Sequence, residues 1–191
     1  MPVNIQEDKT FTKISANELS ALAGTFENCK FINCNFASAH LFKLSFIDCR
    51  FEGCNLGLTQ FGDTGLQDIL FKDCKLSGAD FSRSQDFLFS ASFEDCILDN
   101  AIFHKKKNKG ATFTNCSMIE TDLTEADLTD VKFINCNLHR AAFSYTQLKN
   151  ADLRSSYNYT INPDENNIKK ARFSVHGLPG LLSKYDIRID G

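Results

Sequence analysis

Eight cysteines and four histidines are the residues of this 191-residue chain whose chemistry suits metal binding, disulfide formation or nucleophilic catalysis. No Cys-X-X-Cys pair occurs, and no histidine lies at ligand spacing from a cysteine. Six of the cysteines instead form two series with a spacing of 20 residues, Cys34, Cys54 and Cys74, then Cys96, Cys116 and Cys136. Such regularity predicts a structural position, in which a free cysteine acts as a small apolar side chain. We therefore expect eight free thiols, and no metal, no cofactor and no catalytic residue.

A Phe or Leu residue recurs every five residues along most of the chain. The series is unbroken over twelve positions from Phe26 to Phe81 and, after a slip of two residues, resumes from Phe93 to Leu153 with Asn108 as its polar exception. A small residue commonly lies two positions before each of these centres, and Asn, Asp or Gly is frequent two positions after it. A five-residue interval fits neither the period of a helix, about 3.6 residues, nor that of a strand, about 2 residues. It predicts a chain that places two side chains inward, turns at an Asn, Asp or Gly residue, and repeats.

Similar residues also recur every 20 positions, which predicts a solenoid with four repeats in each turn. One predicted column contains Phe in seven of its eight places: Phe31, Phe51, Phe71, Phe93, Phe113, Phe133, Leu153 and Phe173. Each turn should rise by about 4.8 Å, the spacing of hydrogen-bonded strands. The result is a rod about 35 Å long, in which each turn buries its apolar side chains only against its neighbours.

The repeat resembles the pattern of the pentapeptide-repeat proteins, (Ala/Cys/Ser/Thr/Val)-(Asp/Asn)-(Leu/Phe)-X-X, from about Phe26 to Phe173. The resemblance implies an all-β fold, a right-handed quadrilateral β-helix. We expect this β-helix to occupy residues 26–175. Outward bulges are expected at residues 82–90, which hold the two-residue insertion, and at residues 104–110, where Asn108 replaces an apolar centre.

The two ends of the chain lack the repeat. Residues 1–25 are expected to form an N-terminal cap or an irregular first coil, and the pair Ser15 and Glu18 has the spacing of a helical capping box. Residues 176–191 are expected to form a C-terminal cap and dimerisation segment. Within it, the pattern predicts a short amphipathic helix over residues 178–185 and a short alternating strand over residues 186–190.

The tail also resembles the ending of one branch of the pentapeptide-repeat proteins, which comprises the quinolone-resistance (Qnr) proteins, the mycobacterial MfpA-type protein and the microcin B17 immunity protein. This resemblance implies a non-enzymatic homodimer that binds DNA gyrase or topoisomerase IV as a mimic of DNA and gives resistance to a quinolone or a toxin. The alternative is a protein-interaction scaffold of the same fold with no topoisomerase role. The residues expected to form the dimer interface are Leu178, Leu181, Leu182, Tyr185, Ile187 and Ile189.

The candidate partner-binding surface combines the densest acidic run of the chain with the inserted loop. Its residues are Glu120, Asp122, Glu125, Asp127, Asp130, Asp86 and Phe87. Cross-coil ion pairs should partly neutralise the acidic run. The pairs expected from the 20-residue spacing are Lys105 with Glu125, Lys107 with Asp127, and Arg140 with Glu120.

The overall composition bears on the kinds of partner. With 21 basic and 24 acidic residues, the net charge of −3 does not indicate a protein that binds nucleic acid directly. No apolar stretch approaches the length of about 20 residues that a membrane helix needs. The first residues lack the basic and then apolar profile of a secretory signal. We therefore expect a cytoplasmic protein that contacts neither a membrane nor nucleic acid.

Overall fold

The computed structural model describes residues 4–22 and 24–188, which wind into a four-sided parallel β-solenoid. The strands are β1 (Ile5–Glu7), β2 (Thr10–Thr12), β3 (Thr25–Glu27), β4 (Lys30–Ile32), β5 (Ser45–Ile47), β6 (Arg50–Glu52), β7 (Gly65–Gln67), β8 (Ile69–Lys72), β9 (Ala91–Glu94), β10 (Thr112–Thr114) and β11 (Lys132–Ile134). The α-helices are α1 (Ala16–Leu22) and α2 (Leu178–Leu182), and α2 is flanked by the 3₁₀ helices Val175–Gly177 and Ser183–Tyr185.

Two faces of the solenoid carry parallel sheets. Strands β1, β3, β5 and β7 form a four-stranded sheet, which defines face 1, and β2, β4, β6 and β8 to β11 form a seven-stranded sheet, which defines face 2. Single bridges connect the turns on face 3, as between Asn35 and Asn55, and on face 4, as between Gln60 and Asp80. Paired residues are 20 positions apart, except across the insertion, where β8 and β9, Lys75 and Ile97, and Asp80 and Ile102 pair at a separation of 22. The predicted solenoid of four repeats per turn is confirmed.

The predicted phenylalanine column runs through the core behind face 2. The rings from Phe31 to Phe133 stack on one another, with successive centroids 4.7 to 5.2 Å apart. Full burial of one such side chain contributes about 1.5–3 kcal/mol to stability. Phe11 stacks on Phe31 at 5.1 Å, so the column begins one turn earlier than the series from Phe26 indicates.

Residues with left-handed backbone turn the chain at most corners. Asn33, Asp73 and Asn115 have φ angles of 52°, 52° and 53°, and each lies two positions after an apolar centre. Asn and Asp tolerate this conformation better than most residues. Their side chains also bond along the rod, since Asn135 Nδ2 donates to Asn115 Oδ1 at 3.0 Å and Asn115 Nδ2 donates to Asp95 Oδ1 at 2.9 Å. The turn-forming role predicted for these residues is confirmed.

The N-terminal residues already belong to the solenoid. Strand β1 pairs with β3, and β2 pairs with β4, in the 20-residue register. Helix α1 then completes this first turn in place of strand and corner. The backbone N–H of Ser15 donates to Glu18 Oε2 at 2.7 Å, and the N–H of Glu18 donates to Ser15 Oγ at 3.5 Å, which is the predicted capping box. Leu19 of the helix is buried against the core.

Helix α2 and its two 3₁₀ helices follow the last repeats. The helix predicted over residues 178–185 is present as α2 and the 3₁₀ helix that follows it. The strand predicted over residues 186–190 is wrong for the described residues 186–188, which pair with no strand. Asp186 has a φ angle of 49° and its N–H bonds to Ser183 O, so the chain turns at the helix end instead of extending. Residues 189–191 lie outside the described part of the chain.

Candidate interaction surface

The two-residue insertion forms a loop, residues 82–90, that occupies face 1 at the level between β7 and Asn108. Phe87 is 81% exposed and Leu88 is 53% exposed, whereas the next residue, Phe89, is buried. Leu88 has left-handed backbone, with a φ angle of 55°. The loop therefore presents two adjacent apolar side chains to solvent while a third holds it to the core.

Lys106 anchors this loop from inside the rod. Its side chain is 1% exposed and occupies the inward position where other repeats have Ala, Cys or Thr. The ammonium group donates to Ser84 O at 2.7 Å and to Ser84 Oγ at 3.1 Å, and it lies 2.7 Å from Asp86 Oδ1. It also lies 5.0 Å from the centre of the Phe89 ring. A buried charge is strongly unfavourable unless it is paired and hydrogen-bonded, and Lys106 finds both kinds of partner in the inserted loop.

Asn108, two positions after Lys106 in the same turn, makes a second polar link. It is 1% exposed and replaces the apolar centre of its repeat. Its Oδ1 accepts from Ala91 N at 3.1 Å, and its Nδ2 donates to Ala91 O at 2.9 Å. The amide thus pairs with the backbone of Ala91 at the point where the insertion shifts the register between turns.

The outward bulge predicted at residues 104–110 is wrong. The backbone N–H groups of Lys105, Asn108 and Gly110 donate to carbonyls of the next turn at 2.9 to 3.0 Å, as in any regular turn. Lys106 and Asn108 turn inward because Ser84 and Ala91, in or next to the inserted loop one turn earlier, have buried polar groups that need hydrogen-bond partners. The inward position of Lys106 was not predicted from the sequence. A signal was available, because Lys106 lies 22 residues after Ser84, and 22 is the separation of paired residues across the insertion.

The acidic candidate residues lie on one turn but not in one flat patch. Glu120, Glu125 and Asp130 all have left-handed backbone and therefore lie at three successive corners. Asp122 lies between the first two on face 4, and Asp127 lies on face 1. Asp86 and Phe87 belong to the loop on face 1, two turns earlier. The structure therefore spreads the candidate surface over two faces of the rod.

Two of the three expected ion pairs form as predicted. Glu125 Oε2 lies 3.6 Å from Lys105 Nζ, and Glu120 Oε1 lies 3.2 Å from Arg140 Nη1. An exposed pair of this kind contributes about 0.2–1 kcal/mol.

Asp127 pairs with Lys109, at 3.1 Å, and the predicted pairing with Lys107 is wrong. Lys107 lies opposite Asp127 in the backbone register. However, Thr129 donates to Asp127 Oδ1 from its N–H at 3.2 Å and from its hydroxyl at 2.7 Å. These bonds turn the carboxylate toward Thr129, which lies 20 positions after Lys109 and so directly beside it in the next turn. Partial burial opposes ionisation of Asp127, but the bonds from Thr129 and Lys109 outweigh it and lower the pKa of the carboxyl.

The remaining two carboxylates of this turn bond to uncharged donors. Asp130 Oδ1 accepts from Asn150 Nδ2 at 2.8 Å, and Asp122 Oδ1 accepts from Thr124 N at 2.9 Å. Every carboxylate of the acidic run thus has a partner within the chain. Since three of the five are paired with a basic side chain, the run presents less net negative charge than its sequence indicates.

The residues expected to form the dimer interface divide into two groups. Leu181 is 9% exposed and packs into the core of its own chain, and Leu182 is half-buried. Leu178, Tyr185 and Ile187 are exposed at 42%, 56% and 56%. Ile189 lies outside the described residues.

Val175, which the sequence analysis did not select, is also exposed, at 79%. The C-terminal apolar group is therefore Val175, Leu178, Tyr185 and Ile187.

Tyr159 determines where helix α2 lies. It is buried beneath the helix, and burial raises the pKa of its hydroxyl. Gly177 and Gly180 lie so close to Tyr159 that a Cβ atom at either position would collide with it. Ile161 N donates to Gly180 O at 3.0 Å, which ties the helix to the last turns of the solenoid.

All eight cysteines are buried and unbridged in the structure. Their thiols donate to carbonyls of the preceding turn, as Cys54 Sγ does to Phe31 O at 3.2 Å. The hydroxyl of Thr121 makes the same contact with Leu98 O at 2.9 Å. Burial raises the pKa of Cys49 to about 12, so the thiol stays protonated and able to donate. The inward position predicted for cysteine is confirmed, but its bonding role was missed.

Residues 4–22 and 24–188 contain neither a candidate metal site nor a membrane-spanning helix. No group of three or more His, Cys, Asp and Glu side chains in this part of the chain could hold a metal ion. No helix within it has the length and apolar character needed to cross a membrane.

Comparison with known proteins identifies the repeat. The family model of the pentapeptide repeat region matches residues 24–85 and 87–161, and its one break falls at Asp86 in the inserted loop. No curated protein matches the chain significantly.

Solved structures of the same architecture resemble the chain over nearly its whole length. A trypsin-treated variant of QnrB1, a plasmid-mediated fluoroquinolone resistance protein, has a TM-score of 0.62 at 16% identity and covers 98% of each chain. A second trypsin-treated QnrB1 variant has a TM-score of 0.53 at 17% identity and covers 99% of this chain and 100% of that one. These likenesses show a shared fold. Since the family model matches well over half of the residues, the chain belongs to the pentapeptide-repeat family.

Proposed function

We propose that the protein is a non-enzymatic, dimeric rod that binds DNA gyrase or topoisomerase IV in the place of duplex DNA. Resistance to a quinolone or to a toxin would follow from that binding. The observation that carries the proposal is the parallel ladder of face 2, which continues from Thr10 to Arg172. Only the separation of paired residues changes once, at the insertion. Eight steps of about 4.8 Å make a straight rod about 38 Å long.

The C-terminal apolar group supports assembly of two such rods end to end. Val175, Leu178, Tyr185 and Ile187 are exposed on a segment that Tyr159, Gly177 and Gly180 hold in place. A twofold partner would bury these side chains, because the same patch on two copies can pack against itself. The dimer would be about 75 Å long. This is about the length of 22 base pairs at about 3.4 Å each.

The inserted loop supports a specific contact beyond general shape. Phe87 and Leu88 are exposed, and Lys106 fixes the loop that presents them. An exposed aromatic side chain on a firmly held loop is suited to act as an anchor in a protein interface.

A second function, as an interaction scaffold with no topoisomerase role, is favoured by the charges of the acidic run. The ion pairs of Glu120, Glu125 and Asp127 reduce the negative potential that a DNA-like rod would present. Duplex DNA carries one charge per about 1.7 Å of its axis, far more than this chain with a net charge of −3.

A supercoiling assay separates the two functions. Purified protein at micromolar concentration should alter gyrase supercoiling or protect it from a quinolone, and a Leu178→Lys/Tyr185→Lys variant should be monomeric and lose that effect. The matched variant Phe42→Ser, which changes an exposed aromatic side chain far from the tail, should keep it. A dimeric protein with no effect on either topoisomerase, with or without a quinolone, would leave the scaffold function.

A further inference from the structure

The corner where face 1 meets face 2 has nine levels, one for each turn. Its residues in order are Asp8, Asn28, Asp48, Asp68, Ser90, Gly110, Asp130, Asn150 and Lys170. Each level lies about 4.8 Å from the next. The inserted loop lies at the fifth level, with four regular levels on either side of it.

Face 1 and this corner are acidic over the first four levels. The charged residues there are Glu7, Asp8, Glu27, Asp48 and Asp68. All five side chains are exposed, and no ion pair among the described residues includes any of them. The other outward positions of face 1 in these levels are uncharged, as at Ser45 and Gly65.

The same surface is basic over the last four levels. The lysines there are Lys107, Lys109, Lys149, Lys169 and Lys170, and all are exposed. Two carboxylates, Asp127 and Asp130, lie among these five lysines, and Asp127 is paired with Lys109. A net positive charge therefore remains on this half.

The fifth level separates the two halves with the apolar tip of the loop. Phe87 and Leu88 are exposed there, at 81% and 53%. Lys106 holds the loop from behind, so the tip stays at the midpoint of the charged surface.

We propose that this surface is a self-complementary interface on which a second copy of the chain lies antiparallel. A twofold axis through the fifth level places the first level of one copy opposite the ninth level of the other. Glu7 and Asp8 then face the partner's Lys169 and Lys170, and Phe87 meets its own counterpart on the axis. A second copy and a topoisomerase would therefore compete for the inserted loop.

The second level, with Glu27, faces the eighth, with Lys149, and the fourth, with Asp68, faces the sixth, with Lys109. The third level is the exception, since Asp48 there faces the seventh level, with Asp130.

Antiparallel packing is the arrangement that the charges select. A parallel pair would place the five carboxylates of one copy against those of the other, and like charges brought together oppose association. The contact also differs from one through the C-terminal apolar group, since it runs along all nine levels and includes Glu7 and Asp8 at the opposite end of the rod. It should weaken as salt increases, because the Debye length is about 10 Å at 0.1 M ionic strength.

Two charge-reversal variants test the interface. In Lys169→Glu/Lys170→Glu both ends of the surface are acidic, and in Glu7→Lys/Asp8→Lys both ends are basic. At low ionic strength each variant alone should lose salt-sensitive self-association by about tenfold or more. Mixed together, they should form a heterodimer, because each acidic end then faces a basic one. Native mass spectrometry of the mixture measures the three dimer populations.

A matched control carries the same change of charge on another corner. Asp73→Lys/Asp95→Lys replaces two left-handed corner residues between faces 2 and 3, and Asp95, like Asp8, bonds to an Asn of the next turn. This variant should associate as the unmodified chain does.

An end-to-end dimer alone would give a different result. The Glu7→Lys/Asp8→Lys variant would then associate as the unmodified chain does, since Glu7 and Asp8 are far from that contact. Undiminished association of this variant, or an unmodified chain whose association does not depend on salt, would overturn the antiparallel interface without bearing on the topoisomerase proposal.

Discussion

The ammonium group of Lys106 lies 2.7 Å from a carboxylate oxygen of Asp86, although the lysine is 1% exposed and the aspartate 70% exposed. The two residues belong to successive turns, and the lysine reaches the aspartate through the interior. This contact explains how a strict five-residue repeat accommodates two extra residues without a break in the ladder. The inserted loop gains an internal anchor, and the lysine gains partners for its charge.

Replacing this anchor should loosen the loop. Lys106→Met keeps most of the side-chain volume but leaves Ser84 O and Ser84 Oγ without their donor. An unsatisfied buried polar group costs about 1–3 kcal/mol, so the free energy of unfolding should fall by that amount in urea titrations. Limited proteolysis within residues 82–90 should accelerate as well. Lys105→Met, at a side chain that is 62% exposed and paired with Glu125, should lower the stability by about 1 kcal/mol or less. Equal stability of the two variants would contradict the anchoring role.

Restoring the apolar repeat at position 108 should destabilise the protein. Asn108→Leu satisfies the five-residue pattern but removes both bonds to Ala91. The buried backbone N–H and carbonyl of Ala91 then lack partners. We expect a loss of about 1–3 kcal/mol in the free energy of unfolding. Met118→Leu, a change between apolar residues at an equivalent buried centre, should cost less than about 1.5 kcal/mol. A gain in thermal stability for Asn108→Leu would show that the repeat pattern outweighs these bonds.

A methyl group on Gly180 should displace helix α2. The added Cβ would collide with the carbonyl oxygen of Tyr159, which is backbone and cannot move aside. Gly180→Ala should therefore speed hydrogen exchange in residues 178–185 and lower the melting temperature. Gly57→Ala is the matched control, since a Cβ there has its nearest neighbour at 3.4 Å, an ordinary contact. Unchanged exchange in the tail of Gly180→Ala would contradict the tight packing on Tyr159.

Stability should decrease in acid partly through Asp152. Arg154 donates to Asp152 from Nε at 2.9 Å and from Nη2 at 2.7 Å, and these bonds lower the pKa of the carboxyl below its usual 3.8. A carboxylate with a lowered pKa in the folded state stabilises the protein above its unfolded pKa. That contribution disappears as the pH falls through the lower, folded pKa. Melting temperatures measured from about pH 5 to pH 2 should therefore fall. Asp152→Asn should show a smaller acid-induced decrease, and an identical decrease would exclude this contribution.

The sequence by itself determined the repeating interior. Phe31, Phe51 and Phe71 could be placed in one column because each side chain in the solenoid is surrounded mainly by residues about 20 positions away. The environment of a regular position is therefore encoded within two turns of sequence. The corner role of Asn33 and the capping box of Ser15 were equally accessible, because each depends on a few neighbouring residues.

Tertiary structure decided the positions where the repeat is broken. Lys106 is buried only because an insertion one turn earlier supplies Ser84 and Asp86 as partners, and a pattern that expects apolar residues inside assigns such a lysine to the surface. Likewise, the choice of Lys109 over Lys107 depended on the direction in which Thr129 turns the carboxylate of Asp127. In both cases the outcome depended on which polar groups meet across turns, and such meetings follow from the path of the backbone rather than from spacing along the chain.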